Sequence, residues 1–245
     1  MGAFVARVLA GPVRLRAEVS RLDWSGPGVR ADTTRGTVRA AAAIVTVSTG
    51  VLAAGAIRFD PPLPEPVQAA LAGLPMGLLT KVALHLPEPG RFGLEPDSFM
   101  VRRDGPLTFS AWQQGRPYVT GFMGGRLAWS LADDCRAAAE FVRRELAELL
   151  GDTVAGEAVV TRWGTDPFHR GAYAYARPGQ ADQRGVLAGA FPGERLLFAG
   201  EACRMDGLAG TVGGAYLSGR DAADRLARCR AQAYLEQFPR RSARE

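Results

Sequence analysis

The chain has 245 residues, 47% of them hydrophobic, with a formal net charge of +5 and a pI near 9.5. That length can bury one large core or two small ones, and no apolar run approaches the roughly 18 residues of a membrane span. Nucleic acid is excluded as the partner by where the charge lies: the arginines are scattered, Arg240, Arg241 and Arg244 form their only dense cluster, and no basic stripe interleaves with aromatics.

Cys135, Cys203 and Cys229 lie far apart without a C-x-x-C pair, so neither a disulfide framework nor a zinc site is expected. Of 30 basic residues only Lys81 is a lysine, and asparagine does not occur. Arg7 interrupts what would be the apolar region of a signal peptide, which predicts a cytoplasmic protein.

Apolar and polar residues alternate over 13–20, predicting a strand. Residues 23–28 read as a turn, and 29–32 and 36–39 as two further strands, together a small meander. The run GPGVRA at 26–31 matches G-x-G-x-x-A, but Pro27 sits in the turn and a strand follows, so the dinucleotide reading is set aside. Residues 43–47 form a continuous apolar run typical of a strand buried on both faces, ending at Ser48-Thr49-Gly50, where the chain can turn close to a ligand. Residues 57–66 read as a proline-rich crossover rather than an element, followed by a short helix over 65–74.

Residues 78–86 alternate as a strand with Lys81 in the middle. By itself, one lysine in a strand is an outward-facing, solvated amine. His85 reads as a strand-surface or core histidine, and with His169 as the only other histidine no metal cluster is expected. Three strands follow in 98–123, SFMVRR, LTFSAWQ and YVTGFMG, of the kind that floors a substrate cavity. Trp112, Phe122 and Met123 are assigned to core in preference to a cavity lining. Asp133 and Asp134 cap a helix that presents Ala138, Phe141, Val142, Leu146 and Leu149 and stops at Gly151.

The stretch 159–179, VVTRWGTDPFHRGAYAYARPG, has an apolar strand delivering Trp163, a loop shaped by Pro167, and Gly171 at the bend before Tyr173 and Tyr175. Taken alone it is equally a loop stapled down by aromatics. The stretch 195–226 opens with a short strand, breaks at Gly200, crosses a polar loop to Gly207 and Gly210, and enters a helix. Glycines ahead of a helix let backbone N–H groups approach a ligand, and the helix N-terminus adds partial positive charge. Within the helix Gly213, Gly214, Ala215, Ser218 and Gly219 are read as one side of almost no bulk.

FAGE, then GTVGGAYLSG, then an Arg/Asp/Ala-rich helix closely resembles the C-terminal FAD-binding segment of the flavin-containing amine oxidases, the monoamine and polyamine oxidase family. The resemblance implies roles for particular residues. Val19 contacts the adenine side of FAD. Lys81 holds a water at the flavin N5, which a compact ammonium does in a way a guanidinium cannot. Trp163 lies beside the flavin, and Tyr173, ten residues on, forms one wall of an aromatic cage. Gly200 and Glu201 hold the ribityl-phosphate side, Gly210 and Ala215 belong to the cofactor-binding segment, and Thr211-Val212 contact the ring edge. Two departures follow: the second cage wall falls on Thr211, leaving the cage half-open, and the cysteine of covalent attachment falls on Ala172, so FAD is expected to bind non-covalently.

The resemblance covers about residues 2–227 but only the C-terminal half of the family. It places residues 1–3 partway through a helix. The N-terminal G-x-G-x-x-G strand-turn-helix, which supplies most of the pyrophosphate site, has no counterpart here. The expected fold is α/β (α+β), a partial FAD-binding Rossmann-like domain with an inserted mixed-sheet substrate domain. Residues 1–56 and 195–237 are assigned to FAD binding, 57–194 to the substrate domain, and 238–245 to a basic tail. The expected function is FAD-dependent oxidation of an amine to an imine, with hydride transfer to flavin N5 and reduction of O2 to H2O2. The expected partners are a small-molecule amine, O2 and a chain supplying the missing half, with no nucleic acid, membrane or metal. The alternatives are a flavin desaturase or protoporphyrinogen-type oxidoreductase, and a non-catalytic remnant that needs a partner chain to bind FAD.

Overall fold

The computed structural model describes residues 13–88, 92–189 and 195–237. The expected helix at the start of the chain and the basic tail lie outside them. Strands β1 (Val19–Asp23), β2 (Val29–Thr33), β3 (Gly36–Ala40), β4 (Ala43–Val45) and β5 (Arg58–Asp60) come first, with helix α1 (Thr49–Ala53) before β5. The sheet order β3-β2-β1-β5 contains the expected meander plus one strand the prolines had hidden. β5 pairs parallel with β1 because the prolines begin only at Pro61, leaving the N–H groups ahead of them free for a ladder. Trp24 fastens the junction, its backbone N–H donating to Asp60 C=O and its indole to Pro61 C=O, both at 2.7 Å.

The first expected strand is corrected. Arg16 takes a left-handed φ of +55°, which breaks any strand through 13–18, and Val13 and Leu15 are exposed. The ladder starts at Val19 and runs through Asp23, so the turn begins one residue later than read. GPGVRA leads into β2, as the rejection of its fingerprint required. β4 is also shorter than expected. It pairs in parallel with β11 (Leu196–Phe198), Leu196 opposite Ala43 and Phe198 opposite Val45, but only Val45 is fully buried while Ala43 and Ile44 are half-buried.

Helix α2 (Glu65–Gly73) leads to β6 (Leu79–His85), β7 (Ser98–Val101), β8 (Thr108–Ala111), β9 (Tyr118–Gly124) and, after two helices, β10 (Ala158–Val160). These strands form one antiparallel sheet in the order β10-β6-β9-β8-β7. Period-two alternation gives it two unlike faces. Val82, Leu84, Phe109 and Val119 are buried under α4 (Cys135–Leu150), which follows the unexpected short α3 (Gly125–Ser130). Asp134 caps α4 by accepting from Ala137 N–H at 2.9 Å, and Gly151 ends it at φ +67°. Trp112 and Met123 belong to this core, as expected.

A second core gathers Leu22, Leu52, Leu71, Leu74, Leu196 and Phe198, including α5 (Gln183–Ala188) through Leu187. The C-terminal helix α6 spans Val212–Gln237. Its small residues do not form one stripe. Gly214 is needed because a Cβ there would fall 2.1 Å from Leu208 O, whereas Gly213 meets only the Thr211 hydroxyl at 3.9 Å and Gly219 faces open space. Among the described residues no helix is long and apolar enough to cross a membrane.

Candidate active site

The C-terminal ends of the parallel strands β4 and β11 open onto one cavity of about 520 Å³. The ends of parallel strands are where α/β sheets place ligands, and the volume suits a small-molecule site. Behind β4 the chain passes Thr46 to Thr49 along the cavity wall. Ser48 caps α1, accepting from Val51 N–H at 3.2 Å while its hydroxyl donates to His169 C=O at 2.5 Å. One side chain thereby joins two walls far apart in sequence.

The second wall is the loop after β10. Trp163 and His169 meet edge to face at 4.7 Å between ring centroids, and Gly171 N–H donates to Trp163 C=O at 2.7 Å. Asp166 organises the turn, accepting from Phe168 N–H at 2.8 Å and lying 3.1 Å from His169 Nδ1. The Phe168 bond, then the His169 contact, hold the Asp166 carboxyl below its ordinary value. Because the folded value is depressed, this contribution is complete above the usual carboxylate range and is lost as pH falls through the folded value. The turn is therefore expected to loosen only below about pH 4, as read by amide exchange at Phe168 in an acid titration followed against an Asp166→Asn control.

The third wall comes from the C-terminal stretch. Gly200 has φ +146° and ψ −176°, a conformation open essentially to glycine alone. A Cβ at Gly200 would meet nothing within 4 Å, and Gly200 N–H donates to Ser218 Oγ at 3.2 Å. The carboxylate of Glu201 accepts from Ala174 N–H at 2.8 Å and Gly210 N–H at 3.1 Å. Ala172, Ala199, Ala202 and Ala215 keep the lining low, and Thr49 contributes a buried hydroxyl without a hydrogen-bond partner. A low apolar slot with one unsatisfied polar atom suits a flat heterocycle with polar edges.

Of the residues singled out in the sequence, Trp163, Tyr173, Gly200, Glu201 and Ala215 line this cavity. Gly210 stands beside it, a Cβ there falling 3.9 Å from Tyr173 side-chain atoms. Val19 lines a neighbouring cavity of about 730 Å³, which adjoins the first at Val47 and Phe168 and also receives Arg14 and Arg16. Thr211 and Val212 are exposed and line neither cavity. The Thr211 hydroxyl accepts from Gly214 N–H at 2.9 Å and donates to Leu208 C=O at 2.7 Å, which caps α6. Lys81 lines neither cavity, being exposed on the open face of the antiparallel sheet with Nζ 5.5 Å from the Phe122 ring centroid. Thr161 ties its backbone to the segment carrying Trp163: Thr161 N–H donates to Lys81 C=O at 3.0 Å, and Lys81 N–H donates to Thr161 Oγ1 at 2.9 Å.

Sequence reasoning placed the turn at Ser48-Thr49-Gly50 close to a ligand without singling out the Thr49 hydroxyl, and it missed Cys203 as a cavity residue. The signal for Thr49 was its place at the end of a buried strand, but nothing local marks a hydroxyl as unpartnered. Burial, with the Glu201 carboxylate adding to it, pushes the Cys203 thiol up to about 12. Its thiolate is then negligible at neutral pH. A disulfide reagent at about pH 8 is expected to label Cys135 and Cys229, both half-buried, and to reach Cys203 only after denaturation, as counted by mass spectrometry.

The family model described as flavin containing amine oxidoreductase matches residues 1–227. Polyamine oxidase 4 of Oryza sativa subsp. japonica is 34% identical over 225 residues, covering 86% of this chain and 44% of that protein. Lysine-specific histone demethylase 1B of Mus musculus is 30% identical over 229 residues, covering 88% of this chain and 28% of that one. Among solved structures, a triple mutant of putrescine oxidase with redesigned cofactor binding superposes with a TM-score of 0.73 at 22% identity, over 91% of this chain and 51% of that chain. At that identity the likeness establishes a shared fold. The chain spans less than half the length of these two curated relatives.

Proposed function

The chain belongs to the flavin-containing amine oxidoreductases, and from that premise we propose that it forms the flavin- and substrate-facing part of an FAD-dependent amine oxidase. The observation that carries the proposal is convergence: Trp163 and Tyr173 from one stretch and Gly200, Glu201 and Ala215 from a second line one cavity with the unsatisfied Thr49 hydroxyl of a third. FAD held by these residues would supply two-electron oxidation of an amine to an imine, with O2 as the final acceptor giving hydrogen peroxide.

This chain's own part is binding and orientation. Gly200 and Glu201 form the floor on the ribityl side, with no side chain at Gly200 to hold the ligand off. Val19, in the adjoining cavity with Arg14 and Arg16, takes the adenine side. The Thr49 hydroxyl is available to a polar edge of the ring system. Trp163 and Tyr173 present the neutral amine, and Ala172, having no thiol, leaves FAD non-covalently held. Thr211 acts through the start of α6, placing the loop that carries Gly210 beside Tyr173. Lys81 positions a water for the ring, from the strand that Thr161 couples to the Trp163 segment. Replacing Lys81 by methionine is expected to lower turnover on an amine by roughly 10- to 1,000-fold, the scale of losing a positioned proton-handling group, with FAD affinity unchanged. Stopped-flow reduction of the FAD-loaded protein measures it.

FAD affinity is expected to be low for these 245 residues by themselves, because among the described residues no glycine-rich strand-turn-helix cradles the pyrophosphate. The test is the visible spectrum of the chain purified alone and with the upstream reading frame. A flavin band near about 450 nm that bleaches on adding polyamine or monoamine is expected in the second preparation. A flavin-loaded sample that no amine bleaches overturns the amine reading in favour of a desaturase-type reaction. Absence of flavin from both preparations favours a non-catalytic remnant.

A further inference from the structure

We propose that Arg184 and Glu201 are a pair of positioning residues that together hold Tyr173 at the rim of the cavity. Only the use made of Tyr173 rests on the amine-oxidase reading. Tyr173 has φ +46°, a left-handed conformation that bulky side chains seldom adopt, and its ring is half exposed. Little packing keeps it there, so its backbone must be held from outside.

All four polar groups of the two peptide units around Ala174 are engaged. The Pro75–Gly77 segment takes two of them: Gly77 N–H donates to Tyr173 C=O at 2.9 Å, and Tyr175 N–H donates to Pro75 C=O at 3.0 Å. Charged side chains take the other two. Glu201 Oε1 accepts from Ala174 N–H at 2.8 Å, and the Arg184 guanidinium donates to Ala174 C=O at 3.1 Å. Bonds to ionised groups are stronger than neutral ones, so this side of the grip is the stronger.

Each charge also reaches a second point. Glu201 Oε2 accepts from Gly210 N–H at 3.1 Å, and Arg184 donates to Ala202 C=O at 3.2 Å. The tyrosine loop is thereby bound both to the turn after β11 and to the loop ahead of α6. Gly210 is where the Tyr173 side chain rests, at 3.9 Å from the place a Cβ would occupy. Arg184 is itself only 8% exposed, on the short helix α5. A buried cation is retained at a cost unless its donors are used, and here two of them are spent on backbone carbonyls.

The test needs neither FAD nor an amine, so its failure is separate from failure of the proposed function. The chain is labelled with 3-fluorotyrosine, and among its five tyrosines the Tyr173 resonance is assigned by Tyr173→Phe. In Glu201→Gln and in Arg184→Met that resonance is expected to move to its position in the denatured chain. Amide exchange at Ala174 and Gly210 is expected to quicken at least ~10-fold in Glu201→Gln. Phe109→Ala, in the other core, serves as a control for general loss of stability and is expected to leave the Tyr173 resonance of the folded chain as in the parent. Should Arg184→Met not fold, the near-isosteric Glu201→Gln decides alone. An unchanged Tyr173 resonance in Glu201→Gln, or an equal shift in Phe109→Ala, overturns the proposal.

Discussion

Replacing Gly171 by alanine is expected to destabilise the chain by several kcal/mol and to displace the tyrosine loop from the cavity. Gly171 has φ +137°, and a Cβ there would lie 2.5 Å from Met76 Cβ and 2.7 Å from Gly77 O. Neither obstacle is the free end of a flexible side chain. Overpacking of this kind costs about 1–3 kcal/mol, and a forbidden backbone conformation adds roughly 1–3 kcal/mol. The backbone oxygen that blocks the new methyl is also the acceptor for Ala172 N–H at 2.9 Å, so relieving the clash means losing that bond. A melting temperature lowered by roughly 10 °C, with loss of the Trp163 contact to His169 in near-ultraviolet circular dichroism, is the expected result. A variant that melts like the parent chain would show that the loop accommodates the methyl and is not fixed by this close approach.

Phe109→Ala is expected to be as costly by a different route. Phe109 is 1% exposed and is among the largest fully buried side chains of the core between the antiparallel sheet and α4. It fills space that Gly121 leaves open, where a Cβ would fall 2.5 Å from Val142 Cγ1 and 3.1 Å from Phe109 Cε1. Val142 already packs onto the bare backbone of Gly121, which leaves the helix little room to settle into the cavity. Removing a buried phenylalanine ring costs about 3–5 kcal/mol, or roughly 6–20 °C for a chain of this size. Trp112, 3% exposed in the same core, reports the transition by fluorescence. Since the cavity draws on the other core through Leu52, Leu187 and Phe198, ligand-facing contacts are expected to survive below the transition.

Much of this protein was determined by residues close together in the chain. The meander over 29–40, the capped helix ended by Gly151, the strand break at Gly200 and the helix beyond Gly210 follow from alternation, capping and turn chemistry, which act over a few residues. The spacing of Trp163 and Tyr173 was legible for the same reason, since one loop holds both. Local signals also misled: alternation over 13–18 looked like a strand, but a strand exists only where another offers its edge, and the left-handed Arg16 leaves none. Prolines at 61 and beyond obscured β5, whose partner is β1.

What tertiary structure alone decided is everything that joins distant residues. The parallel pairing of β4 with β11 makes the cavity, Ser48 bonding to His169 closes one corner, and Arg184 from a helix without a strong sequence pattern reaches Ala174. The Thr211 hydroxyl caps α6 and the Lys81 amine lies on the open sheet face, placements that follow from the packed structure and not from spacing along the chain. Chain-local energies choose helix, strand or turn from one short window of residues. Which hydroxyl is left without a partner, and which charge finds a backbone group, depend on chain segments that come together only when the cores are packed.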